Sequence, residues 1–275
     1  MFEHKFVFIG GIHRSGTSIL FRLLRGHPEI SGFIDTKAFE DEGQHLQSVY
    51  PTWELDQSEK ISKPKELIRR FNIRMSLRKR LLFAFNLKAH LTETSSYVSA
   101  ENQTKLFSEW KIYWDINKQF LLEKSPPNII RTRFLQAMFP NSYFIIVRRH
   151  PVAVSLAIQK WVKWSERTTL PLFEHWIRCH DIFKSDQLYL RNSFEFKHED
   201  FTSKPDVCLK EIHSFLGIDY HPAEEDILSN TNEKYYRIWR RWQENPNQIT
   251  LVNKIQNQFE DKINSFGYSF FDLEK

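Results

Sequence analysis

His13, Arg14, Ser15, Gly16, Thr17 and Ser18 follow one another directly, supplying a guanidinium, three hydroxyls and a backbone hinge. Such a run suits an anion. An arginine is a rigid bidentate donor to oxyanions, and loop amides leading into a helix converge on phosphate. Gly11 and Gly16 stand at the glycine positions of a G-x-x-x-x-G-K-[ST] loop and Ser18 at its final hydroxyl, yet Thr17 occupies the lysine position. In nucleoside triphosphatases that lysine reaches the β and γ phosphates. Without it the loop suits an anion with two linked groups. Glycine turns between strand and helix also occur in doubly wound folds that bind no phosphate, and that plainer reading stands beside this one.

A second cationic point follows the apolar run Tyr143 to Val147, which ends in Arg148, Arg149, His150 and Pro151. A Walker B strand would end in aspartate to hold Mg²⁺. Metal-assisted nucleotide hydrolysis is therefore disfavoured a second time, and no metal is required. Arg149 ranks above Arg148, because neighbouring strand residues point to opposite faces. Candidate proton acceptors lie between the two cationic points. Asp35 follows the short apolar run Ile30 to Ile34, and Glu40, Asp41, Glu42 and His45 come next. Histidine side chains titrate nearest neutral pH, whereas acids in a first helical turn are commonly solvated.

Positioning these groups requires strands and helices in alternation. Phe6 to Ile9 reads as a strand buried on both faces, and Thr17 to Arg25 as a helix with apolar residues at Ile19, Leu20, Leu23 and Leu24. A strand at Ile30 to Ile34 follows, then a helix opening near Glu40. Asn102 to Trp114 reads as helical, Phe120 to Glu123 as a strand, and Asn128 to Met138 as a helix ending at Phe139-Pro140. Tyr143 to Val147 is a strand, with helices at Val152 to Trp164 and Phe173 to Leu190. A strand at Phe194 to Lys197 and a helix at Val207 to Leu216, capped by Gly217, complete the pattern before a mostly helical remainder. The predicted fold is α/β and P-loop-like, a central parallel sheet flanked by helices with a helical C-terminal part.

The 275 residues suffice for one domain over 1–275 with a substantial core. A basic helical insertion at about 53–90 carries Arg69, Arg70, Arg74, Arg78, Lys79 and Arg80 on one face. It reads as a solvated face, or as a surface for an anionic acceptor or membrane. The net charge of +5 favours an anionic ligand but is too diffuse to indicate nucleic acid. Cys179 and Cys208 form no disulfide or zinc pattern. No stretch is apolar enough to span a membrane and no leader precedes the first strand. A cytoplasmic protein is expected, its oligomeric state left open.

HRSGTS followed by an apolar helix and His27-Pro28 resembles the 5′-phosphosulfate loop of sulfotransferases, written P-[KR]-[SG]-G-[TS]-[TS], with His13 in place of the frequent proline. The resemblance implies 3′-phosphoadenosine 5′-phosphosulfate as donor, which has no β or γ phosphate. It implies that His13, Arg14, Ser15, Gly16, Thr17 and Ser18 hold the phosphosulfate. Arg149-His150-Pro151 is similar to the turn whose arginine binds the donor's 3′-phosphate. The family's partner serine falls at Ala157, with Ser155 two residues earlier, so Ser155 is the candidate hydroxyl. Glu123-Lys124-Ser125-Pro126 resembles the K-[DS]-P turn of the tyrosylprotein and Golgi-type branch, where the lysine assists transfer. Counting from Arg14, that branch's catalytic glutamate falls at Asp35. His198-Glu199-Asp200-Phe201 resembles a scaffold segment.

The implied activity is sulfuryl transfer to a hydroxyl or amine on a carbohydrate or small metabolite, with a protein tyrosine second and no nucleic acid as partner. Arg14 and Lys124 would stabilise developing charge, with Asp35 first and Glu42 and His45 as rival bases. Two other classes stay open. A P-loop nucleotide kinase-like enzyme needs a lysine and a carboxylate that are not visible. A non-catalytic basic surface-binding protein would use Arg69 to Arg80.

Overall fold

A computed structural model describes residues 3–52, 81–162, 168–223 and 225–274. Five parallel strands form one sheet in the order β2-β3-β1-β4-β5. They are β1 (Lys5–Gly11), β2 (Ile30–Gly32), β3 (Phe120–Lys124), β4 (Ser142–Arg148) and β5 (Ser193–Lys197). Parallel pairing demands crossovers, and these are mostly helical. The helices are α1 (Thr17–Arg25), α2 (Ala100–Trp110), α3 (Thr132–Met138), α4 (Pro151–Val162) and α5 (Thr169–Asp186). α6 (His198–Ser203), α7 (Pro205–Leu216), α8 (Glu233–Glu244) and α9 (Ile249–Asn264) follow. The predicted α/β class with a parallel sheet is thus the observed one.

The central strands read as unbroken apolar runs because both faces are covered. One core unites Phe6, Phe8, Phe33, Trp110, Trp114 and Phe139 with the apolar faces of α1, α2, α3 and α7. A second gathers Ile146 with α4, α5, α8, α9 and the C-terminal tail, around Trp176 and Trp239. Most of the 24 Phe and eight Trp fill space in these layers. In α/β sheets, ligands bind beyond the C-terminal strand ends. Register brings the important ends level: Ile9 pairs with Lys124, and Gly11 with Val147.

Two segments depart from the expected helices. No helix opens at Glu40. Asp35, Lys37, Glu40 and Asp41 all have positive φ, between 50° and 64°, so the chain makes two short 3-10 turns, Phe39–Asp41 and Gly43–His45. β2 also stops at Gly32, leaving Ile34 exposed. The helix expected from Asn128 starts as a 3-10 turn over Pro126–Ile130 and restarts at Thr132. Its interruption is Arg131, fully buried, whose guanidinium donates to Gln44 Oε1 at 3.2 Å and lies 5.2 Å from the Tyr50 ring. The Gly217 cap stands as expected, in the left-handed region at φ 72°. The basic residues Arg69 to Arg80 lie outside the described residues.

Candidate active site

β1 ends at Gly11 and α1 begins at Thr17, so residues 12–16 turn the chain back over the sheet. The turn closes by Ser15 N–H donating to Ile12 O at 2.9 Å, with Arg14 at φ 71° and Gly16 at φ 107°. Gly16 is obligatory. A Cβ there would stand 2.5 Å from His198 Nδ1, and an L side chain resists that φ. Gly16 also brings no side-chain cap, so the first amides of α1 lack an intrahelical acceptor and face the loop. The Ser15 hydroxyl is buried without a hydrogen-bond partner among the described residues. His13 and Thr17 are buried, Ser18 is half-buried and Arg14 is exposed. The Arg14 guanidinium stands 5.8 Å from the Trp161 ring.

The second cationic strand end reaches this loop directly. Arg149 donates from Nη1 to the Arg14 carbonyl at 2.7 Å, from Nε to Asn232 Oδ1 at 2.7 Å, and from Nη2 to Thr231 at 3.3 and 3.4 Å. Arg148 points elsewhere, to Glu195 at 3.5 Å. Ser155, in the buried body of α4, has no hydrogen-bond partner for its hydroxyl among the described residues. Beside Arg149 lies a cavity of about 310 Å³, lined in part by Glu199, Ser203, Thr231, Asn232 and Tyr236. Glu199 holds its wall together, accepting from His150 N–H at 2.9 Å, from Asn232 at 2.5 Å and from the Tyr268 hydroxyl at 3.0 Å.

His198 was legible only as scaffold, yet it joins loop and cavity. Its Nε2 lies 3.1 Å from the Thr231 hydroxyl, and its Nδ1 is buried against Gly16. Burial, reinforced by the charge of Arg149, pushes its pKa down to about 3. The ring is neutral and able to accept as well as donate. Thr231 carried no pattern in the sequence, since a polar loop before a helix is unremarkable.

On the other flank, Lys124 ends β3 almost fully buried. Its Nζ donates to the Glu40 carbonyl at 2.9 Å and stands 3.5 Å from Glu42 Oε1. Glu42 Oε2 accepts from Gln44 at 2.7 Å and lies 3.5 Å from His45 Nε2. Burial alone would raise the Glu42 carboxyl, but the His45 contact, the charges of His13 and Lys124, and the Gln44 bond hold it at about 2. Asp35 is placed apart, exposed on left-handed backbone.

Glu123 fixes this flank from beneath. It accepts from Gly43 N–H at 2.9 Å, and from the Ser125 hydroxyl and the Asn128 amide at 2.5 Å each. Gln44 N–H in turn donates to the Ser125 hydroxyl at 3.1 Å. Burial pushes the Glu123 carboxyl up, against the lowering by Ser125 and Asn128. Gly43 must be glycine, because a Cβ would meet Glu123 Cγ at 2.5 Å. The arrangement presents an anion loop, a second cationic anchor, and a buried lysine beside a carboxylate–histidine pair. Those parts can hold a doubly anionic ligand and stabilise charge on a leaving oxygen.

Comparison with known proteins adds the following. The model of the Sulfotransferase family matches residues 7–222. No curated protein matches the sequence. Among solved structures, the sulfotransferase domain of the Synechococcus PCC 7002 olefin synthase is 16% identical, with 85% of this chain and 88% of that chain covered at a TM-score of 0.50. A sulfotransferase from Mycobacterium tuberculosis H37Rv is 15% identical over 84% of this chain and 70% of its own, with a TM-score of 0.49. One from Alicyclobacillus acidocaldarius is 15% identical over 88% and 93%, at 0.46. At these identities the likeness concerns the fold.

Proposed function

The chain belongs to the sulfotransferase family, and from that premise we propose that it moves a sulfuryl group from 3′-phosphoadenosine 5′-phosphosulfate to a hydroxyl, or an amine, of a carbohydrate or small metabolite. The observation that carries the donor assignment is the 2.7 Å bond from Arg149 to the Arg14 carbonyl. It joins two cationic strand ends, as one ligand with two separate anionic ends requires.

In this reading the amides of residues 15–18, with the Thr17 and Ser18 hydroxyls, hold the 5′-phosphosulfate. The orphaned Ser15 hydroxyl fits such an anion too. The 3′-phosphate goes to Arg149. Its Nη2 contacts to Thr231 are its longest, hence the ones a phosphate replaces most readily. Ser155 contributes only if α4 shifts, and the Thr231 hydroxyl is better placed. The adenosine takes the neighbouring cavity, where Glu199 suits an amino group rather than a phosphate.

Transfer is an in-line displacement at sulfur. The acceptor oxygen bonds to sulfur, the bond from sulfur to the bridging oxygen breaks, and the bisphosphate leaves with the electron pair. Arg14 and Lys124 stabilise charge on that oxygen, a task of positioning and electrostatics as in phosphoryl transfer. The acceptor's proton goes to His45, which Glu42 orients. Asp35 remains the alternative base from the acceptor side.

Arg149→Ala tests the donor assignment. Affinity for adenosine 3′,5′-bisphosphate should fall by about 1.5–3 kcal/mol, the scale of a hydrogen bond to a charged group, in calorimetry with folding checked. The native protein should bind the bisphosphate more tightly than ATP, with no need of Mg²⁺. A variant that binds the bisphosphate normally would place the 3′-phosphate elsewhere. Tighter, Mg²⁺-dependent ATP binding would favour a nucleotide kinase.

A further inference from the structure

Glu40 occupies, from both its ends, the groups that transfer needs. Its carboxylate accepts from the Ser18 hydroxyl at 2.9 Å, and its carbonyl accepts from Lys124 Nζ at 2.9 Å. No ion pair joins this carboxylate to a cation among the described residues. Its partner is instead a hydroxyl in the first turn of α1, where a helix end attracts negative charge.

The backbone there is strained. Glu40 at φ 55° and Asp41 at φ 51° follow Asp35 and Lys37, which are also left-handed. Left-handed backbone is disfavoured for residues with a side chain, and the strain persists only where surroundings impose it. The Ala38 amide donates to the Thr36 hydroxyl at 3.2 Å, the Asp41 amide to the Ala38 carbonyl at 3.3 Å, and the Phe39 ring stacks on Trp161. Asp41 Oδ1 accepts from the Thr36 amide at 2.9 Å and the Thr36 hydroxyl at 2.7 Å, and Lys124 and Ser18 hold Glu40 itself. The side chain of Glu40 is exposed, so it can swing into solvent once the Ser18 hydroxyl releases it.

We propose that Glu40 is the internal counter-anion of the phosphosulfate loop. Its carboxylate holds the Ser18 hydroxyl in the free protein and leaves when a 5′-phosphate enters, freeing Ser18 for the donor. This rests on the donor reading above. The exchange has a definite thermodynamic signature. A ligand that needs the Ser18 position binds only to the fraction of molecules in which Glu40 has left, so its apparent dissociation constant rises by the reciprocal of that fraction. The penalty is the same for every ligand carrying a 5′-phosphate. It is zero for a ligand held by Arg149 alone. After transfer, the returning carboxylate speeds release of the bisphosphate product.

The test is calorimetry with three probes, adenosine 5′-monophosphate, adenosine 3′-monophosphate and adenosine 3′,5′-bisphosphate, on the native protein and Glu40→Gln. Glutamine keeps the length and polarity of the side chain and removes its charge. Both 5′-phosphate ligands should bind more tightly by one common factor of about three- to tenfold, the range of one ordinary hydrogen bond, with the 3′-monophosphate unchanged. A Glu40→Asn variant, better tolerated at positive φ, should do the same. Unchanged or weaker 5′-phosphate binding overturns the inference but leaves the donor reading intact. Equal tightening of all three probes would mean a long-range charge effect and also overturns it. If no 5′-phosphate ligand binds either protein, the donor reading falls and the inference with it.

Discussion

Lys124→Met is expected to lower turnover by about 10²–10³-fold, the range for removing one preorganised donor to a developing oxyanion. Lys124 is almost wholly buried, and its ammonium lies between the Glu40 carbonyl and the Glu42 carboxylate. In the donor ground state the bridging oxygen carries little charge, and it gains charge as the bond to sulfur breaks. An interaction confined to the transition state lowers kcat and kcat/KM together, so donor affinity should change by no more than about threefold. A complication is stability, because the substitution leaves Glu42 as a buried carboxylate without its cation. Breaking such a pair from one side costs about 3–5 kcal/mol. The double variant Lys124→Met/Glu42→Gln removes both charges. If it regains stability yet turns over far more slowly than Glu42→Gln alone, the lysine acts in the chemistry. Near-native turnover in either variant, at saturating donor, would exclude that role.

His45→Ala should lower turnover by about 10²–10⁴-fold, as expected for loss of a general base, with donor binding nearly unchanged. Asp35→Asn should cost far less. The order follows from placement. His45 is held against a carboxylate that stays ionised to about pH 2, in a cluster that includes Lys124. Glu42 is itself a poor proton acceptor at that pKa, yet it fixes the imidazole ring. Asp35 lies exposed in a strained turn. Steady-state rates for both variants at saturating donor decide the matter, and the reverse order would transfer the role to Asp35.

The strand–loop–helix at residues 5–25 and the strand before Arg149 were legible in the sequence because their signals are local. A buried strand, Gly11, Gly16 and an apolar helix must form a strand–loop–helix, and Arg149 follows a second buried strand by simple adjacency. The parallel sheet followed from the alternation of such units. The shape of residues 35–45 was not legible, for two physical reasons. The segment 35–41 adopts left-handed backbone at four residues that are not glycine, which no local preference announces. Its shape is imposed by distant groups, chiefly Lys124, and the next turn is held by Glu123 and Ser125, about eighty positions along the chain. The placement of His198 and Thr231 was not legible for a similar reason. Their side chains become significant only when folding sets them against Gly16 and Arg149.

The most direct measurement follows the transferred group. Native protein is incubated with 3′-phosphoadenosine 5′-phosphosulfate labelled in its sulfur and a fractionated lysate, without Mg²⁺. Label should pass to an acceptor of carbohydrate or small-metabolite size while adenosine 3′,5′-bisphosphate accumulates in equal amount, and Lys124→Met should abolish both. Retention of all label in the donor, alongside Mg²⁺-dependent transfer of phosphate from ATP labelled at its γ position, would contradict the assignment.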